Sequence, residues 1–334
     1  MCGIAGIVLA PGEEVKSSWL NKACAALSRR GPDNHATWIF EQAGLAHTRL
    51  SVLDVSVAAN QPFSDDSGRY VIVFNGEIYN YRSLRHELEL SGTHFHTSGD
   101  TEVLLQLYIR HGVKCLDKLI GFFAFAVYDK VEKTLFAARD RLGIKPFYYA
   151  HTKDQFCFGS EMKAIVAFPV TREIDPTALS VYFQLNYIPG PRTIYKEVKK
   201  LLPGHFLFYK KGKLEISSYY EVNIQKEQYS ALNYEQQQAR LKELLEESVK
   251  LRLISDVPLG AFLSGGIDSS VIVGLASRNT MNLNTFSIGF KDNAYYDETE
   301  YANLVARHFK TNHTVFKLSN DDLYESLHGL LSYI

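Results

Sequence analysis

No excess of either charge marks this sequence: 36 lysines and arginines stand against 37 aspartates and glutamates, a net charge of −1 with a pI near 6.8. A surface so balanced lacks the electrostatic footprint of a nucleic-acid or anionic-membrane binder, so neither partner is expected. No uninterrupted apolar run approaches the ~20 residues of a membrane-spanning helix. The apolar opening "MCGIAGIVLA" has no basic residues ahead of it and is soon followed by Glu13 and Glu14, unlike a secretory signal. Cysteine is scarce as well. Cys2, Cys24, Cys115 and Cys157 are widely separated and form no C-x-x-C pair, which argues against a disulfide framework or a zinc site and favours a reducing, cytoplasmic setting. The 11 histidines form no H-x-x-x-H or H-E-x-x-H pattern, and neither a G-x-x-x-x-G-K-S/T phosphate loop nor a dinucleotide fingerprint is present.

What is present divides in two. Across 334 residues, long enough for two cores, short β-branched and aromatic runs recur up to about residue 215: "GIAGIV", "YVIVF", "FFAFAVY", "TLFAARD", "PFYYA" and "HFLFY". Helical spacing appears at Leu84 and Leu88 before Gly92, and at Val103, Leu104, Leu107 and Tyr108 before Gly112. Strand runs with segregated helices suggest layered sheets. A polar, glutamine-rich stretch, "NIQKEQYSALNYEQQQ", then makes a linker, placed at 216–235. From 236 to 334 the pattern becomes α/β: Leu241, Leu244, Leu245 and Val249 share a helical face, and "SDVPLGAFLSGGIDSSVIVGLASRN" runs from strand through a small-residue turn into a helix.

Four constellations carry chemistry. Cys2 directly follows Met1; if Met1 is trimmed, one residue holds both a thiol and a free α-amine able to take its proton, and otherwise Cys2 is a small hydrophobe in a buried strand. Asn75 and Gly76 after an apolar run read as a hairpin turn, or as an amide and a backbone N–H aimed at one oxyanion. Arg49 could hold an α-carboxylate through its fork or be a surface charge. Asp100 could accept from an α-ammonium, act as a helix N-cap with Glu102 in the first turn, or do both. In "FLSGGIDSS", small residues between strand and helix let backbone N–H groups approach a phosphate, and Asp268 would suit a bridging magnesium ion.

Taken with "RRGPD", "HTRLSVLD", "QPF", "FNGEIYNY", "GDTE", "RDRLGIKPFYY" and "PGH", these stretches resemble the glutamine-hydrolysing asparagine synthetase family over nearly the whole chain. The resemblance implies an α+β N-terminal-nucleophile (αββα) class II amidotransferase domain over 1–215 and the beginning of an α/β ATP-pyrophosphatase domain over 236–334. It implies Cys2 as nucleophile, Asn75 and Gly76 as oxyanion hole, and Arg49, Val52 (through its backbone), Glu77 and Asp100 around glutamine. Leu263 and Ile288 would meet the nucleotide by main chain, and Ser264, Gly265, Gly266, Asp268, Ser269 and Ser270 would cradle pyrophosphate, with Asp268 near magnesium. Ammonia freed at Cys2 would reach a β-aspartyl-AMP made from aspartate and ATP, giving asparagine, glutamate, AMP and pyrophosphate. A homodimer stays open.

The family's later serine-glycine loop with acidic residues does not occur before Ile334, so glutaminase activity alone is expected of this chain, with one face of its C-terminal sheet uncovered. Two readings compete: amidation of another acceptor, a sugar or a natural-product carboxylate, or a non-catalytic remnant. Glucosamine-6-phosphate synthase and phosphoribosyl amidotransferase share the first domain type without "LSGGIDSS".

Overall fold

The computed structural model describes residues 1–222 and 231–331, and its backbone contacts divide into two compact units, Met1–Ile224 and Gln225–Ile334. In the first unit, two six-stranded antiparallel sheets stack face to face. One has the order β10 (Val198–Lys200), β8 (Tyr148–His151), β9 (Gln155–Gly159), β1 (Gly3–Leu9), β3 (Ala43–Arg49), β2 (Asn34–Phe40). The other runs β12 (Lys213–Ser218), β11 (His205–Lys210), β7 (Thr134–Arg139), β6 (Gly121–Asp129), β5 (Tyr70–Ile78), β4 (Phe63–Ser64).

Strand β1 shows why the layers form. Its side chains alternate, so Ile4 and Val8 enter the core between the sheets with Val73, Ala126 and Phe158. Ala5, Ile7 and Leu9 face the other way, onto Leu20, Ala23, Cys24 and Leu27 of helix α1 (Ser17–Leu27) and Ala164 and Ile165 of the short α5 (Met162–Ile165). The strand is buried on both faces, as a central strand of a helix-covered sheet must be. Helices α2 (Tyr81–Leu90) and α3 (Asp100–His111) pack on each other, α3 also against β5, and the short α4 (Cys115–Lys118) follows. Both long helices fall where the leucine spacing expects them, and Gly112 closes α3 with a φ of +54°. Helix α6 (Pro176–Leu185) starts on Asp175, whose carboxylate accepts from the N–H groups of Thr177 and Ala178.

The second sheet runs past residue 215: β12 pairs with β11 as far as Ser218, and Tyr219 donates its backbone N–H to Gly204 O and its hydroxyl to Arg139 O. Of the expected linker, "NIQKEQYS" (223–230) lies outside the described residues.

In the second unit, α7 (Tyr234–Leu251) opens with a reciprocal capping box between Asn233 and Gln236. Three parallel strands follow, β13 (Gly260–Phe262), β14 (Asn284–Phe290) and β15 (Asn312–Leu318), with crossover helices α8 (Ile267–Asn279) and α9 (Thr299–Phe309), and then α10 (Asn320–Leu331). The small core joins Val249, Leu263, Val273, Ala276, Ala302 and Ala306. On one sheet face Thr285 and Ser287 are buried; on the other Phe262, Ile288 and Phe316 are exposed. No described helix is long and apolar enough to cross a membrane.

Candidate active site

The start of β1, the end of β3 and the second half of β5 meet at one end of the sandwich. They wall a cavity of about 90 Å³ lined by Cys2, Arg49, Val52, Asn75, Gly76, Glu77 and Asp100 together with Met1, Gln61 and Lys145. Every residue expected around glutamine therefore meets in one place, although the sequence spreads them over 99 positions, from Cys2 to Asp100.

Cys2 precedes β1 rather than lying within it. Its Sγ accepts the Leu50 N–H at 3.4 Å and lies 3.6 Å from Leu50 O. Burial pushes the thiol up, against the pull of the Leu50 hydrogen bond and the nearby amino terminus. The amino terminus of Met1 is itself lowered, chiefly by burial, and then by Arg30 and Lys145 against the opposing charge of Cys2.

Asn75 and Gly76 are not a turn. Both lie inside β5, paired with Ala124 and Phe123 of β6, because Glu77 and Ile78 carry the strand onward. Asn75 is fully buried, yet neither its Nδ2 nor its Oδ1 has a hydrogen-bond partner. The N–H of Phe74 donates to Gln61 Oε1 at 2.6 Å and that of Ile78 to Asp100 Oδ2 at 2.9 Å. The period of two therefore turns the intervening Gly76 N–H to the same edge of β5, between those acceptors. A Cβ on Gly76 would lie 2.2 Å from Phe122 O, so only glycine fits.

Arg49 is buried, not a surface charge, and its fork is already committed. One terminal nitrogen donates to Ser56 O at 2.8 Å and Asn60 Oδ1 at 2.6 Å, the other to Leu53 O at 3.4 Å and to Asp54 O. In this state it holds the loop carrying Val52 against the end of β3. The free bidentate fork expected for a carboxylate is not what the structure shows, because loop carbonyls saturate it.

Asp100 is the first residue of α3, and Gly99 occupies the N-cap. Glu102 turns back to accept from the N–H groups of His96 and Thr97 and from the Thr97 hydroxyl. Burial, more than the nearby Glu77, pushes the Asp100 carboxyl up to about 7, against the Ile78 hydrogen bond; Glu77 is raised by burial too. A raised carboxyl stabilises the fold when protonated. That contribution is complete below the unfolded value of about 4 and is lost as pH rises through the folded value. Asp100→Asn, which keeps an oxygen for the Ile78 N–H, is expected to melt at the wild-type temperature near pH 4 and above it at pH 8. Melting curves across that range check it.

Three residues around this site were not assigned by sequence reasoning. Arg30 donates from Nε to Cys2 O at 2.9 Å and from a terminal nitrogen to Glu161 at 3.0 Å, holding the backbone of Cys2. Gln61 bridges Phe74 and Thr101, and Lys145 Nζ reaches the Met1 thioether at 3.2 Å. Each stands in a quoted stretch ("RRGPD", "QPF", "GIKPFYY"), but nothing in local spacing says what it touches. His47 holds Phe74 O at 3.2 Å; burial lowers it to about 3, so it is neutral.

In the second unit, Leu263, Ser264, Ser269 and Ile288 line a cavity of about 340 Å³ at the end of β13 and β14; Gly265, Gly266, Asp268 and Ser270 do not line it. Gly266 is the N-cap of α8 and supplies no capping side chain, so the helix N-terminus keeps its dipole for an anion. Ser264 and Ser269 share a hydroxyl contact at 3.0 Å, and Ser270 Oγ donates to Gly266 O at 2.7 Å. Asp268 is exposed in the first turn of α8, and no group of three or more metal-ligating side chains occurs among the described residues. The Asp268 carboxylate beside the N-terminus of α8 would supply one oxygen ligand to a magnesium ion. Gly265 has a φ of +85°, and a Cβ there would lie 2.5 Å from Tyr301 Cβ. Gly265→Ala is thus expected to destabilise this unit by about 1–3 kcal/mol and to weaken nucleotide binding, read by denaturant melts and nucleotide titration.

Two stacked antiparallel sheets with a cysteine, an unpaired amide and an acidic pocket at one end define a class II glutamine amidotransferase domain, followed by an ATP-pyrophosphatase-like unit. Residues 1–220 match the glutamine amidotransferase domain family and residues 240–334 match the asparagine synthase family. The chain belongs to the glutamine-hydrolysing asparagine synthetase family. A Methanocaldococcus jannaschii relative, whose name places it with these synthetases, is 39% identical over 97% of this chain and 66% of its own. Bacillus subtilis asparagine synthetase (glutamine-hydrolyzing) 3 is 37% identical over 98% of this chain and 56% of its own. The chain thus spans between about half and two thirds of these relatives' length. Among solved structures, the glutamine phosphoribosylpyrophosphate amidotransferase of B. subtilis aligns at a TM-score of 0.51, with 17% identity, over 94% of this chain and 65% of that one, a likeness of fold alone.

Proposed function

We propose that the first unit is an N-terminal-nucleophile amidotransferase that hydrolyses glutamine at Cys2, and that its ammonia serves the ATP-dependent amidation of aspartate to asparagine. The observation that carries this reading is the Asn75 amide, buried with both polar atoms unpaired on the wall that faces Cys2. A buried amide left unsatisfied is costly, and an oxyanion that forms only during reaction would give its Nδ2 an acceptor.

After removal of Met1, the Cys2 α-amine takes the thiol proton and the sulfur attacks the glutamine δ-carbon, forming a C–S bond. The carbonyl oxygen gains negative charge and accepts from Asn75 Nδ2 and the Gly76 N–H. Collapse breaks the C–N bond, the ammonium on Cys2 returns its proton, and ammonia leaves. Water then cleaves the thioester to glutamate. Asp100, with Glu77, receives the glutamine ammonium, whose charge draws the Asp100 carboxyl back to its ionised form. Arg49 sets the Val52 loop that meets the α-carboxylate and adds its positive charge there. In the second unit Leu263 and Ile288 would meet the adenine nucleotide by main chain, Ser264 to Ser270 would hold pyrophosphate, and Asp268 would hold magnesium, which would offset phosphate charge. Products of the coupled reaction are asparagine, glutamate, AMP and pyrophosphate.

The test is to incubate chain shown by mass analysis to lack Met1 with glutamine and measure glutamate and ammonia. Stoichiometric release is expected. No release from processed chain, or equal release from chain that retains Met1, overturns the mechanism.

A further inference from the structure

Lys145 sits on the cavity wall at the end of an unusually constrained loop. Asp140, almost wholly buried, accepts the N–H groups of Phe123, Leu142, Ile144 and Lys145 at 2.9–3.3 Å. Arg139 holds the same turn from the other side, donating to Lys145 O at 2.8 Å and to Gly143 O and Leu201 O, each at 2.6 Å. Gly143 supplies the left-handed bend, with a φ of +68°. Both the N–H and the C=O of Lys145 are therefore pinned. Packing does not explain the loop, since Leu142 and Ile144 point their side chains to solvent at 62% and 49% exposure. Besides leading Phe147 into the core, it fixes the backbone from which the Lys145 side chain enters the cavity wall.

That side chain ends beside the amino terminus, with Nζ 3.2 Å from Met1 Sδ, and among the described residues no carboxylate lies within ion-pair distance of it. The charged and titratable groups around the amino terminus are Cys2, Arg30, Lys145 and Glu77, with Arg49 and Asp100 farther along the same cavity. Burial lowers the Lys145 ammonium, and Glu77 opposes that shift. When Met1 is removed, its thioether leaves, and the ammonium remains on the wall of the cavity that Cys2 also lines.

Resting on the glutaminase reading above, we propose that Lys145 is a positioning residue whose fixed ammonium keeps the Cys2 α-amine in the free-base form that takes the thiol proton. A cation beside an amine disfavours the amine's protonation and favours a neighbouring thiolate, so both effects point the same way. With Lys145 neutralised, more of the amine is protonated at neutral pH, and the acid limb of kcat/KM moves upward.

The experiment compares wild type, Lys145→Met and Lys145→Arg, each with Met1 removed and with its melting temperature checked. The readouts are kcat/KM for glutamine and the rate of Cys2 alkylation by iodoacetamide, both from pH 5.5 to 9.5. Cys24, Cys115 and Cys157 are buried, so Cys2 is the accessible thiol. Lys145→Met is expected to shift both profiles upward by about half to one pH unit, lowering kcat/KM several-fold at pH 7 and recovering it at pH 9; Lys145→Arg keeps the wild-type limb. Lys145→Gln replaces the methionine variant if that variant does not fold. Unmoved profiles in a folded neutral variant overturn the proposal, as does a loss of rate equal at every pH. Absence of glutamate release from wild type would instead overturn the glutaminase reading, and the alkylation profiles would still decide the role of Lys145.

Discussion

Cys2→Ala is expected to lower glutamine-dependent ammonia release by about 10,000-fold or more, to abolish the thioester adduct seen by mass analysis, and to leave the melting temperature nearly unchanged. On the proposed mechanism the catalytic loss is large because the sulfur forms the C–S bond, while the α-amine, which alanine retains, serves as the base. Alanine is also small enough for Met1 to be trimmed before it, so the variant separates loss of the thiol from loss of the free amine. The structural loss is small. Cys2 lies outside β1, is half-buried, and gives up two long sulfur hydrogen bonds with Leu50, while its backbone carbonyl stays held by Arg30. Residual turnover would come from the amide and N–H that still face the carbonyl. Cys2→Ser should recover little, since an alcohol holds its proton far more tightly than a thiol and the same amine cannot draw it off.

Cys2, Asn75 and Asp100, which line one cavity, could be singled out in the sequence because each stands in a short stretch whose neighbours announce it. The limits appear at Asn75. An apolar run followed by Asn-Gly is the same pattern whether the chain turns or runs on, and the pairing of Gly76 with Phe123 in β6 decides it, a contact 47 positions away. Arg49 shows a second limit. Its charge and place were legible, but the four loop oxygens that occupy its fork come from residues 53–60, whose path has no periodicity to read. The layered architecture followed from alternation, as in β1, and from leucine spacing, as in α2 and α3. Lys145 could not be placed at all, because what aims it is a buried carboxylate that collects four N–H groups. Local preference says only that Asp140 begins a turn.

Asn75→Ala should separate activity from stability. Removing an oxyanion donor is expected to lower kcat for glutamine about 100- to 1,000-fold, with a much smaller change in KM, because the amide acts where charge develops and not on the ground-state carbonyl. For most buried residues such a truncation would also destabilise, through a cavity and a lost hydrogen bond. Here no hydrogen bond is lost: Nδ2 and Oδ1 have no partner in the resting protein, and leaving such a group buried costs about 1–3 kcal/mol. Any cavity opens onto the one that already faces Cys2. The melting temperature of Asn75→Ala is therefore expected to equal or exceed that of wild type, measured side by side with the single-turnover rate. A variant that melts well below wild type would mean that the amide is satisfied in the resting protein, and the argument from an unpaired group would fall with it. Full glutaminase activity in the same variant would mean that the Gly76 N–H alone carries the oxyanion.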